Sequence, residues 1–342
     1  MNPSHITDHS SPREISAKRT AISQGSPITN HPKVSIIILN WNGVDDTIEC
    51  LESLKNITYP NYEVIVVDNA SSGDDVRILK GQYEDYIHMI ANDQNYGFPE
   101  GCNVGMRYAL SKSTNYLLLL NNDTTVDGEF LTELVKVAEG DPSIGIVGSK
   151  VYYYHYPNMI QSAGGRTRWW LGEISVFGDE EDVGQYDEIA ERDYVYGTSF
   201  LIKKVVIDKI SFMDPYFFMG IEEYDYCTRA IRAGFKVIYV PESKVWHKAG
   251  ASQAKLPQFP EAQSLVRRKA GFGDYKYYYR LFRAHCMPVL FIFPFLVCTV
   301  RQSLLGDFLT VLWRGDWQRI KSGIAGRLKS LLKVTSKSHS PH

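Results

Sequence analysis

No two of the five cysteines (Cys50, Cys102, Cys227, Cys286 and Cys298) are spaced CxxC, and the number is odd. The spacing suits neither a zinc site nor a disulfide framework, so the thiols read as reduced, which fits the cytosol. Charge of one sign is also lacking. A net charge of −2 over 342 residues gives no global field for nucleic acid, and none is expected as a partner. Met287–Val300 is almost wholly apolar but is broken by Pro288, Pro294 and Thr299. It falls short of the roughly 20 residues that span a bilayer. The first 32 residues are rich in Ser, Pro, Thr and His and lack the apolar stretch of a secretory signal. They bury too little to offset their ordering entropy, so 1–32 is expected to be a disordered tail. Without a signal the chain is expected on the side of the membrane where it is made. No internal repeat is present.

What is present is alternation. Val34–Leu39, Glu63–Val67, His88–Ala91, Tyr116–Leu120 and Ile144–Ser149 are short apolar runs, several rich in β-branched residues, and read as buried strands. Between them, Asp45–Lys55, Asp74–Gln82, Gly101–Ser111 and Glu129–Glu139 read as helices. This order predicts a three-layer α/β/α fold with a mostly parallel central sheet. Val151–Tyr194 is looser and is expected to be irregular or antiparallel. Tyr194–Lys203 and Lys236–Val240 read as strands, and Glu222–Gly234 as a helix ending at glycine.

Ligands of such sheets bind beyond the carboxyl ends of the strands. Four polar clusters follow predicted strands there: Asn40-Trp41-Asn42, Asp68-Asn69, Asn95-Tyr96-Gly97 and Asn121-Asn122-Asp123. Asp123, among oxygen-bearing neighbours, suits Mg2+ or Mn2+ with diphosphate oxygens completing the shell, or is an ordinary Asn/Asp turn. Asp68 suits a ribose hydroxyl or base N–H, or a helix cap. Glu222-Glu223-Tyr224-Asp225 suits a general base tuned by burial and like charge, or complements a helix dipole. His247, taken alone, reads as a structural or exposed histidine before it reads as a ligand.

Together these segments resemble glycosyltransferase family 2, and within it the rhamnosyltransferase-like branch. The motifs are VSIIILNWNG, VIVVDNASS, NYGFPEGCNVGM, LLLLNNDT, FFMGIEEYDYCTRA and VWHKAGAS, in order from about Val34 to Gly250. The resemblance implies an inverting GT-A fold over 33–250. It implies that Asn40, Trp41, Asp68, Asn95, Gly97 and Asn122 bind the donor nucleotide. Asp123, with Asn121 and His247, would hold a divalent metal, Mg2+ or Mn2+. Asn121 departs from the pattern, standing where many relatives have an acid. Glu223 falls at the base position, with Glu222 the second choice and Asp225 in support. A stretch from KVYYYHYPNMIQSAGG onwards is similar to rhamnosyltransferase-like members, which implies dTDP-L-rhamnose as first donor, a UDP-sugar as the other, and a glycan or lipid-linked glycan acceptor in cell-surface polysaccharide synthesis.

The segment 251–342 is aromatic and basic. Arg301, Arg314, Arg319, Lys321, Arg327, Lys329 and Lys333 interleave with apolar residues and with Trp313 and Trp317. That is expected to be a helical, membrane-associating segment, placing the protein peripherally at the inner face of the cell membrane, or else a hairpin packed on protein. Other functions fit less well. Leu39-Asn40-Trp41-Asn42-Gly43 lacks the GxGxxG of dinucleotide oxidoreductases and the Gly-rich basic loop of nucleotidyltransferases. A catalytically inactive carbohydrate- or membrane-binding scaffold of the same fold is the alternative. The oligomeric state is not expressed in the sequence.

Overall fold

The computed structural model describes residues 31–168, 173–220 and 222–248. The expected tail over 1–30 and the segment 251–342 lie outside them. The chain divides into two compact units, Met1–Arg166 with Ser175–Tyr277, and Thr167–Ile174 with Tyr278–His342. The main sheet and the site belong to the first.

The run VSIIILN is buried throughout, except for half-buried Leu39, and forms β1 (Val34–Asn40). There follow α1 (Val44–Leu54), β2 (Tyr62–Asp68), α2 (Asp75–Tyr83), β3 (Ile87–Ala91), α3 (Gly97–Ser111), β4 (Tyr116–Asn121), β5 (Thr124–Val126) and α4 (Phe130–Glu139). Then come β6 (Ile144–Tyr153), β7 (Tyr156–Ser162), β8 (Gly165–Arg168), β9 (Glu173–Val176), β10 (Glu180–Glu181) and β11 (Ala190–Glu191). The described part ends with β12 (Ser199–Lys203), α5 (Lys204–Ile210), α6 (Glu222–Arg232) and β13 (Lys236–His247).

Alternate side chains of β1 go to opposite faces. Val34, Ile36 and Ile38 share a core with Leu51 and Leu54 of α1, Leu79 of α2 and Leu131 and Leu134 of α4. On the other face α3 comes so close that a Cβ at Gly105 would stand 2.6 Å from Ile37 Cγ2. Helices therefore cover both faces, as the alternation predicts.

The sheet is mixed, which corrects the expectation of a mostly parallel one. Its order is β10-β7-β6-β12-β4-β1-β2-β3, with β13 beside β6. The strands β3, β2, β1 and β4 are parallel, but β12 runs antiparallel between β4 and β6. The cause is the excursion through β7–β11. It leaves the chain where β4 ends, so Ser199 pairs with Leu120 and β12 runs back. A parallel β12 would need a further crossover.

Other differences also bear on the site. Helix α3 starts at Gly97, four residues early, because Pro99 is tolerated in a first turn whose N–H groups have no partner within the helix. Strand β13 does not stop at Pro241. A register shift between Val240 and Lys244 carries the proline out of the ladder, and pairing resumes to His247. Order also begins before Lys33, since Tyr59 Oη donates to the Pro32 carbonyl at 2.6 Å.

Candidate active site

The ends of β1 and β2 are knotted by side chains. Asn40, wholly buried, donates from Nδ2 to Asp68 Oδ1 at 2.7 Å and Asp75 Oδ2 at 2.9 Å, and accepts from Thr47 Oγ1 at 2.8 Å. Asp68 also accepts from the Ser71 amide at 2.9 Å and its hydroxyl at 2.6 Å. Asn40, expected to line a pocket, thus spends its amide inside the protein and fixes Asp68. Trp41 beside it is half-buried.

Asn69 holds the next loop. Its Nδ2 donates to Asn95 Oδ1 at 2.8 Å and to the Gly97 carbonyl at 3.2 Å. Gly97 has φ +80, and a Cβ there would lie 2.4 Å from the Phe218 carbonyl oxygen. That oxygen also accepts from the Phe98 amide at 2.6 Å. The Asn95–Gly97 loop therefore rests on the segment leading into the acidic helix.

Strand β13 delivers His247 to Asp123. His247 pairs with Thr124 of β5, one residue past Asp123. Its Nε2 lies 3.1 Å from Asp123 Oδ1 and 3.3 Å from Asn121 Nδ2, while Nδ1 lies 2.8 Å from Gln161 Oε1 and 3.5 Å from Thr198 Oγ1. All but Asn121, half-buried, are buried. Asn121 Oδ1 is buried with no hydrogen-bond partner among the described residues. Asn122 faces the other way and donates to Thr47 Oγ1 at 3.0 Å.

The acids opening α6 are buried. Glu222 Oε2 and Glu223 Oε2 have no hydrogen-bond partner among the described residues. Burial pushes the Glu223 carboxyl up to about 7. Burial, and then the charge of Glu223, push Glu222 well above the ordinary carboxylate range. Burial also raises Asp225, although Arg229, whose Nε donates to Asp225 Oδ2 at 2.8 Å, pulls the other way.

Two adjacent residues join these halves. Gly197 lies against Glu223, its Cβ position 3.7 Å from Glu223 Cβ, and Thr198 reaches His247. Consecutive Cα atoms stand about 3.8 Å apart, so the acids and the Asp–His pair border one short segment. Sequence reading assigns no role to Thr47, Asp75, Gln161 or Thr198, and marks Asn69 only as part of the Asp68-Asn69 cluster. Each acts on a partner 26 or more residues away, save Thr47 on Asn40.

The family described as "Glycosyl transferase family 2" matches residues 35–211. A low-salt glycan biosynthesis hexosyltransferase of Haloferax volcanii is 25% identical over 207 residues, 60% of this chain and 63% of that protein. A dTDP-rhamnosyl transferase of Shigella flexneri is 25% identical over 203 residues, 57% and 63% respectively. These alignments leave more than a third of each relative's length unmatched. In fold, the chain is similar to a mannosyltransferase of Pyrobaculum calidifontis in complex with GDP-Man and Mn2+. The TM-score is 0.56 at 15% identity, covering 93% of this chain and 87% of that one. Among the described residues no helix is long and apolar enough to cross a membrane.

Proposed function

The chain belongs to glycosyl transferase family 2, and on that premise we propose that it moves a sugar from a nucleotide-sugar donor to a hydroxyl of a glycan, inverting the anomeric carbon. The observation that carries this reading is the convergence at Gly197-Thr198: buried Glu223, whose Oε2 has no hydrogen-bond partner among the described residues, on one side and the Asp123–His247 pair on the other.

Glu223 acts as base. Its raised proton affinity lets it take the acceptor hydroxyl's proton near neutral pH. The acceptor oxygen bonds to the anomeric carbon as the bond from that carbon to the diphosphate oxygen breaks on the opposite face. Asp68, Asn95 and Gly97 bind the nucleoside, Trp41 lines its pocket, and Asn40 and Asn122 brace it. Asp225 holds the helix through Arg229.

The residues fit a divalent cation. A carboxylate oxygen and an imidazole nitrogen lie 3.1 Å apart, both of types that ligate such cations, and Asn121 Oδ1 is a buried oxygen with no hydrogen-bond partner among the described residues. Asp123, His247 and Asn121 would hold it. Among the described residues no three His, Cys, Asp or Glu side chains cluster for a metal, so diphosphate oxygens and water would supply the remaining ligands. One imidazole among oxygens suits Mn2+ better than Mg2+. When bound, the cation neutralises charge that develops on the leaving diphosphate.

For the donor we favour dTDP-L-rhamnose, supported by the rhamnosyltransferase-like stretch and by the Shigella relative. The acceptor is a glycan or lipid-linked glycan of the cell surface, and the protein sits peripherally at the inner face of the membrane, supported by the basic, Trp-bearing segment. The test is nucleoside diphosphate release from dTDP-rhamnose, UDP-glucose and GDP-mannose with lipid-linked glycan and Mn2+. Acceptor-dependent release from dTDP-rhamnose is expected. Release from another donor overturns the sugar assignment, and release from none of these donors counts against the transferase.

A further inference from the structure

The order of the strands lays out the site. Asp68 ends β2, on one side of β4 across β1, while β12 and β6 stand on the other side of β4. His247 of β13 pairs with Tyr153 at the end of β6. The Tyr153 hydroxyl donates to Asp179 Oδ1, just before β10. Asp179 is exposed and sits at φ +58, and exposed Glu180 and Glu181 follow it. A left-handed conformation outside glycine is costly and clusters at functional sites. The loop is pinned by buried Lys150, whose Nζ reaches Asp182 Oδ2 at 3.1 Å and Asp187 Oδ1 at 2.6 Å. Asp179 itself is held by a neutral phenol, not by a cation. Tyr196 precedes Gly197, which lies against Glu223. It is half-buried, and nothing among the described residues bonds its hydroxyl. Burial raises that hydroxyl, and the charges of Glu223 and then Asp179 raise it further, so both carboxylates stand near it.

We propose that Tyr196 and Asp179 form the acceptor subsite and take an uncharged sugar ring whose reacting hydroxyl points to Glu223. This rests on the reading of Glu223 as the base. In an in-line displacement the acceptor stands opposite the leaving diphosphate. With the nucleoside at Asp68 and the diphosphate at Asp123, that is the β6 side, where Tyr153, Asp179 and Tyr196 stand. The Tyr196 ring packs on sugar C–H groups, and its hydroxyl and the Asp179 carboxylate bond sugar hydroxyls. A carboxylate held by a phenol keeps its charge and, with Glu180 and Glu181 beside it, repels phosphate and uronate groups. The residue that receives the new sugar is therefore a neutral sugar, not a lipid phosphate.

The test has two readouts on the full chain. Saturation-transfer NMR titrations use methyl α-L-rhamnoside, methyl β-D-glucoside and methyl β-D-glucuronide. Thermal shifts with dTDP, UDP and GDP plus Mn2+ report the nucleotide site separately. Wild type is expected to bind a neutral glycoside and not the glucuronide. Tyr196→Ala is expected to weaken the neutral glycoside about 10-fold. Tyr196→Phe, which keeps the ring, should weaken it less, and Asp179→Asn should admit the glucuronide. All three variants should keep the wild-type nucleotide shift. Neutral-glycoside binding undiminished in Tyr196→Ala, equal binding of glucoside and glucuronide by wild type, or no binding of either neutral glycoside overturns the proposal. In each of those cases a persisting nucleotide shift leaves the transferase reading standing. A wild type that no nucleoside diphosphate stabilises overturns that reading as well.

Discussion

Asn122 donates to Thr47 Oγ1 at 3.0 Å, and Thr47 donates onward to Asn40 Oδ1 at 2.8 Å. This chain of two bonds ties the loop of Asp123 to the Asn40–Asp68 knot, so the proposed cation and nucleoside sites share a frame. Thr47→Val keeps the shape and deletes both bonds, leaving the buried Asn40 Oδ1 without its donor and Asn122 Nδ2 with the Gly43 carbonyl at 3.4 Å. It should cost about 1–3 kcal/mol in denaturant melts. It should also raise the donor KM more than it lowers kcat. An unchanged melt would show the frame to be dispensable.

Glu223→Gln is expected to lower kcat by about 10^2- to 10^4-fold, with little effect on nucleotide binding. Glu222→Gln should cost less. In wild type, kcat should rise with pH through about 7, because the base works only when ionised and burial raises it to that value. A Glu222→Gln loss larger than that of Glu223→Gln would exchange the two roles.

The same burial makes stability pH-dependent. In the fold, Glu223 releases its proton at about 7, against 4.5 when unperturbed. Its contribution is full below about 4.5 and is lost as pH rises through about 7, on the order of 3 kcal/mol. Thermal melts across that window should show Glu223→Gln losing less stability than wild type. Parallel curves would contradict the burial argument.

Gly97→Ala places a Cβ 2.4 Å from the Phe218 carbonyl at φ +80. Strain of that kind costs about 1–3 kcal/mol. The damage should reach the acidic helix through the Phe98–Phe218 bond, so kcat should fall along with the melting temperature. A fall in melting temperature alone would separate the two loops.

Much of this fold is legible because β1 to β4 and their helices keep strict periods. Where the sequence misleads, the deciding contacts are distant. β12 reverses because the β7–β11 excursion ends beside Asn121, which no local pattern records. β13 passes Pro241 because a bulge absorbs it. In the site, Asp68, Asp123, Glu223 and His247 stand out by type and motif. Gln161, Thr47 and Asp75 do not, since a buried hydrogen-bond partner looks like any polar residue until the chain folds.

The most direct test of the account is the thermal shift of wild type and Asp123→Ala with dTDP, UDP, GDP and NAD, each with and without Mn2+. A nucleoside diphosphate, dTDP first, should stabilise wild type, more so with Mn2+, and Asp123→Ala should lose the metal-dependent part while still melting cooperatively. Stabilisation by NAD alone, by no nucleotide, or an undiminished Mn2+ increment in Asp123→Ala would contradict it.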